Sequence, residues 1–163
     1  MIRKSSLALM ITEEDIEEIL AEWSEVPGFI KAHVKARSPL HRCEGELSLD
    51  EGNLTFRGRD IKEGKGYELA IPLERVTDVY LGFSKHLKAG MDPAFGIGGP
   101  VPVAVHYQDN GKDRIMYFNT GFNSYLVHGD TNSRHWCEAL QEAVAKHRPL
   151  KLAARRNPSL LTV

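Results

Sequence analysis

The sequence predicts a mainly β protein: seven antiparallel strands curled into a barrel or sandwich, closed by a C-terminal helix and preceded by an extra acidic helix. Three observations lead there. Between Cys43 and Phe83, apolar and polar residues alternate in successive short runs, the period of strands with one buried and one solvated face. The connections between those runs are short and rich in Gly, Asn and Asp, as hairpins require. Near the end of the chain the period changes to that of a helix, with Trp136, Leu140, Ala143 and Val144 on one stripe.

Taken in order, Met1 to Ile11 reads as a weak imitation of a signal peptide. Its apolar core is short, and it runs directly into acidic residues. Thr12 to Val26 reads as a helix, with Thr12 as N-cap and Asp15 in the place of a capping-box acid. Ile16, Ile19, Leu20 and Trp23 form its apolar stripe, and its other positions carry seven acids and no base. Pro27-Gly28 ends it. Phe29 to Arg37 reads as a first strand, with Ile30, Ala32, Val34 and Ala36 alternating against a basic face of Lys31, His33, Lys35 and Arg37. His41 and Arg42 extend that positive charge toward the next strand.

The meander follows: Cys43–Leu49, a turn at Asp50 to Asn53, Asn53–Arg59, a turn at Lys62 to Gly66, Tyr67–Leu73 and Val76–Phe83. Pro72 lacks an N–H donor and belongs at a strand end, an edge or a bulge. Val76 and Val79 break strict alternation, which points to a bulge. Ser84 to Pro100 has no pattern and is long for a connection in a compact domain. Val101–Gln108 alternates again, Asp109-Asn110-Gly111 is a strong hairpin signal, and Arg114–Phe118 is apolar on both faces, as a strand covered on both sides would be. Asp130 or Thr131 is the expected cap of the last helix, which runs to about Arg148, where Pro149 stops it. The resulting division is an acidic helical extension over 1–28, a domain over 29–148 and a basic tail over 149–163.

Lys plus Arg (21) nearly cancels Asp plus Glu (22) in the 163 residues. No global field draws the chain to nucleic acid. No apolar run has the length of a membrane span, and the reading is a soluble, cytoplasmic protein. Two cysteines, Cys43 and Cys137, are too few for a disulfide framework and read as buried thiols. The seven histidines form no ligand pair on one element, so no metal or cofactor is expected. Gly96 to Gly99 is not followed by the Lys-Ser/Thr of a phosphate loop and reads as a hinge. Gly-x-Ser-x-Gly is absent, and no catalytic residues are assigned.

Seven antiparallel strands with a tryptophan-bearing C-terminal helix resemble the pleckstrin-homology superfold. The segment Gly45-x-Leu47-x-Leu49, Leu54-x-Phe56, Leu69-x-Ile71-x-Leu73 and Val76-x-x-Val79 resembles its GRAM and bacterial PH-like branch. The resemblance covers Phe29 to Arg148 and implies a binding module rather than an enzyme, with Trp136 packed on the sheet. The favoured expectation is a module that engages a protein partner or itself, through Glu14, Glu18 and Glu22 on the acidic helix and Met91 and Phe95 in the long loop. The alternative that the resemblance implies is an anionic lipid headgroup held by Lys31, Lys35, Arg37, His41 and Arg42. Against it, the same bases could pair with the acidic helix. A third reading is an enzyme whose site the sequence does not reveal.

Overall fold

The computed structural model describes residues 4–23, 41–90, 101–121 and 132–147. Seven antiparallel strands form a curled half-barrel. They are β1 (Lys4–Thr12), β2 (Cys43–Leu49), β3 (Asn53–Asp60), β4 (Gly66–Pro72), β5 (Val76–Leu81), β6 (Val103–Asp109) and β7 (Lys112–Thr120). Among the described residues three helices accompany them, α1 (Glu13–Trp23), α2 (Lys85–Gly90) and α3 (Ser133–Lys146), with one 3-10 turn at Leu73–Arg75. The spatial order is β4-β3-β2-β1-β7-β6-β5.

Six of the expected strands are present. The seventh described strand is a correction. Lys4–Thr12, read as leader-like and placed in a helical extension, is the middle strand and joins β2 to β7. The reason it escaped is physical. Ala8 and Met10 face the main core while Ile11 packs on the opposite side, so Leu7 to Ile11 is apolar without a break and has no period of two. The strand expected at Phe29–Arg37 lies outside the described residues.

Local chemistry sets the turns. Asp50 Oδ1 accepts from the backbone N–H groups of Gly52 and Asn53 at 2.8 and 2.7 Å, closing the β2–β3 connection. Asn110 and Gly111 both have positive φ, 50° and 79°, the two-residue geometry that matches strand twist. The expected bulge is found as a register shift between Val76 and Asp78. Pro72 ends β4, where its missing donor breaks no bond to β3.

The core is in two parts. The main cluster fills the concave side with residues such as Leu47, Leu54, Phe56, Ile71, Val105 and Phe118, and α3 closes it. Trp136 is fully buried there, with Leu140, Ala143 and Val144 beside it on the expected stripe. Lys4 Nζ lies 5.4 Å from the Trp136 ring centroid, close enough for a cation–π contact. The helix begins at Ser133 with Asn132 as its cap, later than the Asp130 or Thr131 expected. The second, smaller cluster lies on the other face of β1, β7 and β6, where Ile11, Ala104 and Tyr117 pack against Ile16 of α1 and Leu87 of α2. The outer face of β2, β3 and β4 is solvated and carries cross-strand ion pairs, Arg57 with Glu68 at 3.1 Å and Arg59 with Glu44 at 3.3 Å.

Candidate functional site

The acidic helix has two chemically different faces. It starts in a reciprocal capping box: Asp15 N–H donates to Thr12 Oγ1 at 3.0 Å, and Thr12 N–H donates to Asp15 Oδ2 at 3.3 Å. On the side toward the sheet, every acid has a partner. Glu13 accepts from the Ser84 hydroxyl and, at 3.3 Å, from the Tyr117 hydroxyl. Glu17 pairs with His86 at 2.9 Å. Asp15 lies 3.7 Å from Arg42.

Ser84 organises this seam. Its backbone N–H donates to Tyr117 Oη at 3.0 Å, and its hydroxyl oxygen accepts from Leu87 N–H at 3.2 Å, capping α2. Ser84 is 6% exposed. Burial pushes the Tyr117 phenol up to about 12, so it stays a donor. The network of Glu13, Ser84 and Tyr117 locks α1 and α2 onto β7. Sequence reasoning missed it and treated Ser84–Pro100 as structureless; Lys85–Gly90 is helical. A readable signal was present, since Ser84 three residues before an apolar residue is an N-cap pattern.

Arg42 is the second fastener. Its Nε lies 3.1 and 3.0 Å from the two carboxylate oxygens of Asp60. Its backbone bonds Met10 and Ile61. The hydrogen bond from Arg42 holds Asp60 below the usual carboxylate range, and the same bond raises the Arg42 guanidinium. Arg42 therefore faces two carboxylates and has its charge matched within the fold. His41 is half-buried beside it. Lys31, Lys35, Arg37, Met91 and Phe95 lie outside the described residues.

The other face of α1 is different. Glu14, Glu18 and Glu22 are all exposed, and their spacing of four aligns them in one stripe. No cation among the described residues lies within ion-pair distance of any of the three. The last turn of α1 carries no base.

Elsewhere, Phe83 is a loop anchor, its ring 5.2 Å from that of Tyr117. Tyr80 and His106 share a 2.6 Å hydrogen bond on adjacent strands. Burial drives the Cys43 thiol up to about 11 and raises that of Cys137, so both are held as protonated packing groups. Among the described residues no group of three or more His, Cys, Asp or Glu could hold a metal ion, and no helix is long and apolar enough to cross a membrane.

No family model matches the chain, and no curated protein matches it. Nineteen chains of solved structures do. One is the hSac2 domain from human phosphoinositide phosphatase Sac2, similar at a TM-score of 0.49 and 10% identity over 93% of this chain and 71% of that one.

Proposed function

We propose that the chain is a non-enzymatic binding module of the pleckstrin-homology-like kind, and that α1 docks a basic surface on a protein partner. The strand order, with β1 joining both halves of the curl and a buried tryptophan from the last helix closing it, supports the pleckstrin-homology-like kind of fold. The observation that carries the docking role is the partition of charge on α1. Glu13, Asp15 and Glu17 are engaged with the fold, while Glu14, Glu18 and Glu22 stand exposed with no cation beside them among the described residues. Like charges four apart on a helix destabilise it by about 0.2–0.5 kcal/mol per pair. A cationic partner would reverse that sign.

The test is affinity capture with the full chain at low and high salt, using the wild type and a Glu14→Gln, Glu18→Gln, Glu22→Gln variant. A partner held by the wild type at low salt and lost by the variant supports the reading. The same partner held by both removes α1 from it.

The anionic-headgroup reading depends on the basic stretch that precedes β2. Arg42 contributes little to it, because Asp60 and Asp15 already face its guanidinium. Sedimentation with acidic vesicles at low and high salt separates the two readings. Vesicle binding abolished by Lys31→Gln and Lys35→Gln, and indifferent to the α1 variant, favours the lipid.

A further inference from the structure

We infer that two copies of the chain pair antiparallel through the outer edge of β4, extending both sheets into one. The inference deepens the binding-module reading but rests on a different surface from α1.

β4 is the last strand of the sheet, and among the described residues β3 alone pairs with it. The ladder bonds fix which backbone groups face outward. Asp60 N–H donates to Lys65 O at 2.8 Å and Leu73 N–H to Gly52 O at 2.9 Å. Alternation between those two bonds directs the backbone of Tyr67, Leu69 and Ile71 to β3 and that of Glu68 and Ala70 to the outer edge. Glu68 and Ala70 are exposed, and Tyr67 and Leu69 are half-buried at the rim of the main core. The strand is only weakly guarded against edge pairing. It holds no lysine, its single charge, Glu68, is matched by Arg57 of the same chain at 3.1 Å, and Pro72 stands only at its end.

Charge and donor geometry select the register. Placing Glu68 opposite its own copy sets like charges face to face. Placing Ala70 opposite its own copy sets Glu68 against Pro72, which has no N–H to give. The remaining register pairs Glu68 with Ala70 of the second copy on both sides of the axis and sets Pro72 opposite Gly66 at the ends of the ladder, where its missing N–H costs only a terminal bond. It places Leu69 on Leu69 at the two-fold axis and Tyr67 beside Ile71, so the apolar rims join on the concave side. The edge is thus complementary to itself, which is the argument for a second copy rather than another partner.

The register makes a covalent test available. The Leu69 pair is a non-hydrogen-bonded pair with Cα atoms about 4.5 Å apart, inside the range of about 4.4–6.8 Å that a disulfide spans. Under mild oxidation, Leu69→Cys is expected to form a linked dimer at least tenfold faster than Lys62→Cys, an exposed turn control. Light scattering on the unmodified chain is expected to show its mass rising toward two chains with concentration. Ala70→Pro, which removes an outward donor and no bond to β3, is expected to weaken that dimer at least tenfold, and Ala70→Lys provides the same test without altering the backbone. The α1 triple variant should leave the dimer unchanged. A chain that stays monomeric at millimolar concentration, Leu69→Cys cross-linking no faster than the control, or a dimer lost with the α1 acids but kept with Ala70→Lys, would each overturn the inference.

Discussion

Gly58→Ala is the most informative single substitution in the sheet. Gly45 and Gly58 face one another across β2 and β3, and Ala8 continues the row on β1. A Cβ on Gly58 would stand 2.1 Å from the Glu44 carbonyl oxygen and 2.8 Å from Gly45 Cα, and one on Gly45 would stand 2.1 Å from the Arg57 carbonyl oxygen. Carbon–oxygen contacts settle at about 3.3–3.6 Å, so the strands would have to part by roughly 1 Å. The obstacles are backbone atoms held in the ladder, not side chains that can rotate away. Overpacking typically costs about 1–3 kcal/mol, and fixed backbone puts this site at the upper end. Removing a glycine from a strand returns about 0.5–1 kcal/mol. The net loss is therefore about 2 kcal/mol. At about 2–4 °C per kcal/mol for a chain of this size, the midpoint should fall by roughly 4–8 °C. Urea denaturation with an unchanged m-value measures the loss directly. The double variant with Gly45→Ala should cost less than the sum, because the first methyl already separates the strands. A loss below about 0.5 kcal/mol for Gly58→Ala would refute the idea that close approach at this pair sets the curl.

Four other outcomes follow from the same structure. Trp136→Ala should cost about 3–5 kcal/mol, and Trp136→Phe clearly less, because the indole N–H finds no acceptor among the described residues; equal losses would mean that the polar edge matters. Neither Cys43 nor Cys137 should react with a thiol reagent at pH 8 in the native state, since burial raises both, and fast labelling before unfolding would contradict their packing. On the acid side, Asp50 and Asp60 are held low by backbone donors from Gly52 and by Arg42 respectively; the stability they add is complete above the ordinary Asp range, near about 4, and is lost as pH falls through their native values, so Asp60→Asn should flatten the acid limb of a stability–pH curve. On the alkaline side, the native state keeps the protons of Cys43, Tyr107 and Tyr117, whose burial pushes them to about 11, 12 and 12; their contribution is intact below the unfolded thiol and phenol values and declines as pH rises through the native ones, so denaturation midpoints should drop from about pH 9 upward.

How much of this was legible depends on how many faces an element exposes. The strands from Cys43 to Leu81 each have one wet face, and their period of two is plain. Lys4–Thr12 has none in its apolar core, so periodicity is silent where the strand is most central. α2 is too short for a stripe, and Leu87 is its buried apolar anchor among the described side chains. The stripe of α1 was readable through Ile16, but the fate of its acids was not. Glu13 meets Ser84 and Tyr117, 71 and 104 positions away, and only the folded sheet brings those hydroxyls together. Arg42 shows the same limit: by composition it extends a basic run, and in space it faces Asp60.

The partition of acids on α1 also explains how so acidic a helix stays docked. Among the described side chains its apolar contact is centred on Ile16 with Ile19 and Leu20 beside it, and its C-terminal end carries Glu22 where the helix dipole favours a cation. Propensity and burial alone would leave it marginal. The added hold comes from Glu13, Asp15 and Glu17, each tied to a different part of the fold: the β7 tyrosine and Ser84, Arg42 before β2, and His86 on α2. Replacing Glu18 or Glu22 by Gln should therefore stabilise the free protein by a few tenths of a kcal/mol each, while at Glu14, in the first turn, the relief of repulsion is offset by the loss of a favourable charge at the helix N-terminus; Glu13→Gln should destabilise the protein by leaving two buried hydroxyl groups with an altered acceptor. Opposite signs from neighbouring glutamates on one helix, read by urea denaturation, are what a surface divided between anchoring and binding requires. The same sign at all of them would mean that the stripe is ordinary solvated charge.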